Sequence, residues 1–224
     1  VLEYEDPGRK GREQLEKNKE ILEQTARYFK EKQDQYGATV KGLDWNSEEA
    51  QSIRFQQLEK LIAGEEKAEF SICDYGCGYG DFFVYLQEKG YRCRYTGVDL
   101  VEETIACAKR KFGQNKEVVL LQGTTLEQTY DYIVASGIFN LKGTVENEEW
   151  KRYMLGILKE FHSHSKKGFA FNCLTSYSDA EYMRDDLYYA DPLFWFDYAK
   201  KHFSRNVALL HDYELYDFTV LVRK

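Results

Sequence analysis

The residues whose types and spacing could do chemistry are concentrated in one short segment, Ser71–Asp81. It reads Ser-Ile-Cys-Asp-Tyr-Gly-Cys-Gly-Tyr-Gly-Asp, so an apolar run ends in an acid and then turns through three alternating glycines. Glycine lets the backbone approach a ligand closely and adopt positive φ without steric cost. After a strand, such a turn forms a floor on which a nucleotide-like cofactor can lie. A second apolar run ends at Asp99, whose carboxylate can bind two ribose hydroxyls. Together these features predict a cofactor-binding enzyme.

The five cysteines do not have the spacing of a metal site. Cys73 and Cys77 are separated by three residues, but they straddle the glycine turn, and no second Cys or His pair lies nearby. We therefore expect buried free thiols in a reducing compartment and no bound metal.

The composition is that of a soluble globular protein with one full core. A chain of 224 residues fits one such domain with a helical extension. The formal net charge of −7 argues against a large phosphate-binding surface, and so against nucleic acid as a partner. The longest apolar stretches, of about six residues, are too short to span a membrane, and the charged first twenty residues do not resemble a secretory leader. We expect a cytoplasmic protein, monomeric or homodimeric, without a membrane partner.

The elements that must position the glycine turn alternate between strand and helix. Before them, residues 11–36 predict a long polar helix, and a second helix runs to about residue 63 with Asn46 or Ser47 as its cap. We therefore divide the chain into an N-terminal helical lid, residues 1–64, and a cofactor-binding domain, residues 65–224. Strands are predicted at 69–75, 93–99, 117–122, 130–135 and 168–174, and helices at 80–89, 101–112, 148–163 and 193–203.

The end of the chain departs from this alternation. The apolar runs 207–210 and 216–222 are joined too closely for a parallel return, which needs a crossover of about a dozen residues or more, so they must be antiparallel. The predicted fold class is α/β: a Rossmann-like, seven-stranded, mostly parallel sheet with a terminal antiparallel hairpin and N-terminal lid helices.

The pattern Asp74-x-Gly76-x-Gly78-x-Gly80, followed by Asp99, resembles motif I and the next acid of class I S-adenosylmethionine-dependent methyltransferases. The terminal hairpin is also typical of that fold, and the resemblance extends over residues 65–224. It implies an enzyme that uses S-adenosyl-L-methionine as its cofactor.

The resemblance also implies roles for single residues. Asp74 would lie near the methionine amino end, and Asp99 would bind the ribose hydroxyls. The backbone of Gly76, Cys77 and Gly78 would pass under the methionine and the ribose. The remaining implied contacts are Leu100 on the adenine, Thr124 in place of the acid that many members carry after the third strand, Ser136 beside the cofactor, and Phe139 at the methyl-transfer mouth.

A segment before the sheet resembles one found in the small-molecule and sugar-type members of this superfamily. Arg54 could bind the cofactor carboxylate with both arms of its guanidinium, or it could be a surface residue paired with Glu49 or Glu59. Tyr36 and Trp45 could close over the sulfonium, where aromatic faces favour a cation, or could serve as plain core anchors.

The acceptor is expected in the long connection 175–192, which follows the fifth strand at the ligand-binding edge of the sheet. We predict Tyr177, Asp186 and Tyr188 as acceptor contacts together with Phe139, and we assign no catalytic residue. The predicted reaction is methyl transfer to an oxygen or nitrogen of a small polar molecule, a sugar or a natural-product intermediate. The alternatives are a nicotinamide-dependent oxidoreductase, disfavoured by the glycine spacing, and a non-catalytic cofactor-binding protein.

Overall fold

The computed structural model describes residues 7–45 and 47–224. Within that part of the chain the strands are β1 (Glu69–Tyr75), β2 (Arg92–Asp99), β3 (Val118–Gln122), β4 (Tyr130–Ala135), β5 (Ser165–Leu174), β6 (Asn206–Leu210) and β7 (Asp217–Arg223). The α-helices are α1 (Pro7–Tyr36), α2 (Glu48–Glu59), α3 (Asp81–Glu88), α4 (Glu102–Phe112), α5 (Asn147–His164) and α6 (Pro192–His202).

Among the described residues the strands form one seven-stranded sheet in the order β3-β2-β1-β4-β5-β7-β6. β1 to β5 are parallel, and β7 inserts antiparallel between β5 and β6. The predicted fold class is therefore confirmed. The order reverses between β1 and β4, and the carboxyl ends of parallel strands at such a point form a crevice where ligands bind.

The core consists of two clusters, one on each face of the sheet, because successive strand residues point to opposite faces. Ile133 and Phe169 belong to the cluster covered by α5 and α6, whereas Val134 and Ala170 belong to the cluster covered by α2, α3 and α4. Buried aromatic side chains make up much of both clusters, and each such side chain contributes about 150–250 Å² of buried surface.

The second helix is part of this core. Ser47 caps α2 by accepting a hydrogen bond from the backbone N–H of Ala50 at 3.1 Å, whereas the alternative cap, Asn46, lies outside the described residues. Phe55 and Leu58 then pack in the same cluster as Phe70 of β1. The predicted division at residue 64 therefore crosses a shared core, and it stays a prediction.

The first helix lies across the ligand-binding edge of the sheet and is attached mainly by polar contacts. Lys30 pairs with Glu103 of α4 at 2.9 Å, and Lys17 pairs with Glu149 of α5 at 3.2 Å. Ile21 anchors the helix in the core, with 4% of its surface exposed. In the described part of the chain no helix has the length and apolar character needed to cross a membrane.

Candidate active site

A cavity of about 980 Å³ opens at the carboxyl ends of β1, β2 and β4. One part of it is lined by the β1–α3 turn, the end of β2 and residues 43–55. The other part is lined by α1, the 175–192 segment and the turn between β6 and β7. Single-ligand pockets measure about 300–1,000 Å³, so this volume is at the upper end of that range.

The β1–α3 turn presents bare backbone to the cavity. Gly76 and Gly78 have φ values of +80° and +54°, in the region that favours glycine. A Cβ atom at Gly76 would lie 2.2 Å from Ile138 Cγ2, and one at Gly78 would lie 2.7 Å from Leu43 Cδ1. Both the conformation and the close packing therefore require glycine, and Cys77 lines the cavity between them.

Asp99 is held in a fixed orientation at the end of β2. Its Oδ2 accepts a hydrogen bond from the Gly78 N–H at 2.9 Å, and its Oδ1 accepts one from the Val101 N–H at 2.9 Å. Burial raises the pKa of this carboxyl, and the backbone hydrogen bonds oppose that rise. An ionised carboxylate has about four acceptor sites, so both oxygens retain capacity toward the cavity that Asp99 lines.

Asp74 is the second acid of the turn, and it is almost completely buried where β1 ends. The Tyr95 hydroxyl donates a hydrogen bond to its Oδ2 at 2.7 Å. Burial raises the pKa of Asp74 to about 7, the Tyr95 hydrogen bond opposes this, and the nearby charges of Asp99 and Asp81 add to it. The free protein therefore holds this cavity-lining carboxyl close to its titration midpoint at neutral pH.

Three other residues predicted at the cofactor also line this part of the cavity: Leu100, Thr124 and Ser136. The position of Ser136 depends on Asn172, which is completely buried on β5. The Asn172 side chain accepts a hydrogen bond from the Gly137 N–H at 2.7 Å and donates one to Ser136 Oγ at 3.3 Å. Asn172 is not among the site residues assigned from the sequence, although a polar residue within an apolar strand is a signal that could have identified it.

Arg54 lines the cavity but pairs with neither Glu49 nor Glu59. Its guanidinium binds Asp217 at the start of β7, with Nε–Oδ1 and Nη2–Oδ2 distances of 3.2 and 2.5 Å. Nη1 donates to the Ala50 carbonyl at 3.1 Å. Of the five N–H groups of an arginine, two thus remain available. Burial raises the pKa of Asp217, and the charge and hydrogen bonds of Arg54 oppose that rise.

The two aromatic residues of the predicted lid differ in position. Trp45 lines the cavity, and the Arg54 guanidinium lies 4.6 Å from its ring centroid. The Trp45 indole also packs on Gly137, where a Cβ atom would lie 2.5 Å from Cη2. Tyr36, by contrast, is 40% exposed at the end of α1 and does not line the cavity.

The four residues predicted to contact the acceptor do not line the cavity either. Phe139 and Tyr188 are buried in the α5–α6 cluster. Asp186 binds Arg184 through both carboxylate oxygens, and Tyr177 is 65% exposed beside His211.

The connection containing three of those residues does contribute to the cavity, but through neighbouring positions. These are Tyr182, Arg184, Leu187 and Tyr189. Leu187 forms an isolated antiparallel bridge with Leu141, and in such extended backbone adjacent side chains point to opposite sides. The segment therefore lines the cavity through residues such as Leu187 and Tyr189 and not through the three predicted ones, and its contact with an acceptor stays a prediction. Within residues 7–45 and 47–224, no group of three or more His, Cys, Asp or Glu side chains could hold a metal ion.

Comparison with known proteins agrees with this geometry. Residues 72–168 match the family model described as a methyltransferase domain. The chain is 47% identical over 155 residues to Rv1506c of Mycobacterium tuberculosis, a protein assigned to the methyltransferases. That match covers 69% of this chain and 93% of the relative.

Solved structures share the fold at low sequence identity. The DhpI–SAM–HEP complex superposes with a TM-score of 0.63 at 16% identity, covering 91% of this chain and 98% of that one. The N-methyltransferase NodS of Bradyrhizobium japonicum, solved with S-adenosyl-L-homocysteine, gives 0.61 at 13% identity, covering 89% and 98%. The close sequence relative, the glycine turn with its two acids and the shared strand order lead to one conclusion. The chain belongs to the class I S-adenosylmethionine-dependent methyltransferases.

Proposed function

We propose that the protein transfers the methyl group of S-adenosylmethionine to an oxygen or nitrogen of a small molecule: a polar metabolite, a sugar or a natural-product intermediate. One observation carries the proposal, namely that one continuous cavity is lined both by the glycine turn with Asp99 and by α1, the 175–192 segment and the β6–β7 turn. The net charge of −7 argues against nucleic acid. We also propose a cytoplasmic protein that acts as a monomer or homodimer, with residues 1–64 as the lid of a cofactor-binding domain formed by residues 65–224.

The residues beside the turn fit the chemistry of each part of the cofactor. The free acceptor sites of Asp99 suit two ribose hydroxyls, and the buried carboxylate of Asp74 suits an ammonium group. The two remaining N–H groups of Arg54 suit a carboxylate, to which they would add charge-assisted hydrogen bonds.

With the exception of Tyr36, the remaining cofactor contacts are proposed from residues that line the same part of the cavity. Leu100 and Thr124 would contact the adenine, and Cys77 and Ser136 would contact the cofactor between its two ends. Trp45 would face the sulfonium. Tyr36 could reach it only after a movement of the end of α1, since this side chain now faces solvent.

The chemistry supplied by the bound cofactor is an electrophilic methyl group on sulfur. The protein's own contribution is then to bind both molecules, align them and keep water out. Asp99 and Asp74 fix one end of the site, whereas α1 contributes Leu22, Thr25 and Phe29 over the other. A hydroxyl acceptor would also need a base, and we assign none.

Calorimetry with S-adenosylhomocysteine tests the proposal. Replacing Asp99 by Ala should weaken binding by about 2–3 kcal/mol, because two ribose hydroxyls lose a charged partner. The matched control is Asp197→Ala, which removes an exposed acid of α6 that does not line the cavity. A thermal melt shows that each variant is folded.

Two further measurements separate the alternatives. Binding of NADH in place of S-adenosylhomocysteine would favour the oxidoreductase. Binding of S-adenosylhomocysteine with no methyl transfer to any acceptor would favour a non-catalytic cofactor-binding protein. Unchanged affinity in folded Asp99→Ala protein would remove Asp99 from the site.

A further inference from the structure

The compartment beside the cofactor residues has mostly apolar walls. We call this part the distal half. It is lined by α1, by residues 140–141, by Leu174 and the connection that follows it, and by the β6–β7 turn. Its apolar side chains are Leu22, Phe29, Leu141, Leu174, Leu187 and Leu215. A molecule held here therefore buries much of its surface against carbon.

Most polar groups of the distal half are already hydrogen-bonded within the protein. Three hydroxyl groups bond to other side chains or to backbone: Ser178 Oγ donates to the Thr175 carbonyl at 2.7 Å, Tyr216 Oη donates to Asp179, and Tyr213 Oη bonds to Thr219 Oγ1 at 2.9 Å. Two backbone groups donate to side chains: the Arg184 N–H to Tyr189 Oη at 2.9 Å, and the Leu174 N–H to Asn140 Oδ1 at 3.1 Å. Breaking such a bond to serve a ligand leaves a group unsatisfied, at about 1–3 kcal/mol when it is buried. A ligand with many hydroxyls would find few free partners.

The charges of the distal half are also paired, with one exception. Arg184 binds Asp186 through Nε and Nη2 at 2.9 and 2.5 Å. Asp44 belongs to the 43–55 segment of the cofactor part and lies 4.0 Å from Arg184 Nη1, and it binds Lys32 at 2.7 Å. Glu214, exposed in the β6–β7 turn, has no ion pair or hydrogen bond to any side chain in the described ranges. The distal half thus ends in one unbalanced negative charge at its solvent side.

We infer that the acceptor is an amine with an apolar body, whose ammonium group pairs with Glu214. The inference rests on the proposed function and specifies its substrate class. Tyr213 and Tyr216, close to this acid in the same turn, also line the cavity, and aromatic faces add attraction for a cation. The apolar walls would hold the rest of the molecule. A protonated nitrogen has no lone pair, so the ammonium anchors the acceptor and a different atom receives the methyl group.

The same features disfavour two other kinds of acceptor. An anionic acceptor would lie near the negative charge of Glu214. Among the described residues the distal half offers it no unpaired cation, because the guanidinium of Arg184 already binds Asp186 through Nε and Nη2. A sugar would bury hydroxyls against apolar walls without enough partners. Among the acceptors proposed above, an amine-bearing natural-product intermediate fits these walls best.

Three probes of similar size test the charge preference: tyramine, p-cresol and 4-hydroxyphenylacetate, which share one ring and carry a cation, no charge and an anion. Their binding to protein saturated with S-adenosylhomocysteine is measured by calorimetry. Tyramine should bind about tenfold more tightly than the anion, the size expected for one charged hydrogen bond. Glu214→Gln should remove most of this preference, and 0.5 M salt should reduce it because the site is exposed.

Asp212→Asn is the matched control, because Asp212 is an exposed acid of the same turn that does not line the cavity. This variant should keep the tyramine preference. If S-adenosylhomocysteine itself does not bind, the proposed function fails. If it binds but tyramine shows no advantage, or none of the probes binds at millimolar concentration, the amine assignment alone is overturned. An advantage that survives in Glu214→Gln would overturn it as well.

Discussion

Cofactor affinity should depend on pH through Asp74. This carboxyl is buried with a single hydroxyl partner, and its pKa in the free protein is raised to about 7. An ammonium group bound beside it needs the charged form. Binding of S-adenosylhomocysteine near neutral pH should therefore release a proton from Asp74.

The magnitude follows from the titration of one group. At pH 8 most of the free protein already carries the Asp74 carboxylate, whereas at pH 6 only about a tenth of it does. The affinity should therefore fall about tenfold from pH 8 to pH 6, which is about 1.4 kcal/mol. The sign is fixed, because lowering the pH protonates the group that the ligand's ammonium requires.

Calorimetry at several pH values, in two buffers of different ionisation enthalpy, measures both the affinity and the proton release. The internal control is 5′-methylthioadenosine, which has the adenosine part but no amino group, so its affinity should vary much less. Asp74→Asn should bind S-adenosylhomocysteine more weakly and without the pH slope. Equal slopes for the two ligands, or a slope that persists in Asp74→Asn, would show that another group titrates.

Three further predictions concern the residues around the turn. Arg54→Lys should weaken S-adenosylhomocysteine binding by about 1–3 kcal/mol, since an ammonium cannot reproduce the two parallel N–H groups of a guanidinium. Calorimetry should show a smaller loss for 5′-methylthioadenosine, which lacks the carboxylate. Equal losses for the two ligands would mean that Arg54 acts through folding or the lid. Deleting residues 1–40 should leave a folded sheet by circular dichroism but poor cofactor binding, and either unfolding or normal binding would contradict the lid. Asp74→Asn should stabilise the ligand-free protein above pH 7. The pKa of Asp74 is about 7 in the folded protein against an ordinary 3.8. The wild-type free energy of unfolding therefore falls as the pH rises between those values, by up to about 4 kcal/mol. Urea unfolding in which the difference in stability between Asp74→Asn and wild type does not grow over this pH range would contradict this.

Local sequence determined the parts of the site that lie within one turn. The acid, the glycines and the strand before them are adjacent in the chain, so β1 and its turn were predicted with the bounds that the structure has. The terminal hairpin followed from chain geometry alone, because its connection is too short for a parallel return.

Contacts between distant segments could not be predicted in this way. Arg54 and Asp217 are 163 positions apart, and only the folded sheet brings α2 against β7. Arg54 has acidic neighbours on its own helix, so within the protein the sequence suggested only Glu49 or Glu59 as its partner, beside the cofactor carboxylate as the alternative. The structure instead buries it against an acid that no local pattern connects to it.

The sequence could not predict which side chains of the 175–192 connection face the cavity, for a different reason. This segment has little regular structure, so its sequence carries no periodicity that distinguishes inward from outward positions. The bridge from Leu187 to Leu141 and the hydrogen bond from the Tyr188 N–H to the Asn140 carbonyl at 2.7 Å hold this part in place. Leu187 and Tyr189 then line the cavity while Tyr188 enters the core. The sequence indicated a segment that lines the cavity, but it could not indicate which of its residues face inward.

The central claim is that the glycine turn and Asp99 hold S-adenosylmethionine in the cavity beside a separate acceptor compartment. A crystal structure of the protein with S-adenosylhomocysteine tests it most directly. We predict both ribose hydroxyls within about 3.2 Å of the Asp99 carboxylate, the amino end toward Asp74, and the distal half left open. A ligand bound with its ribose away from Asp99, or one that fills the distal half, would contradict the claim.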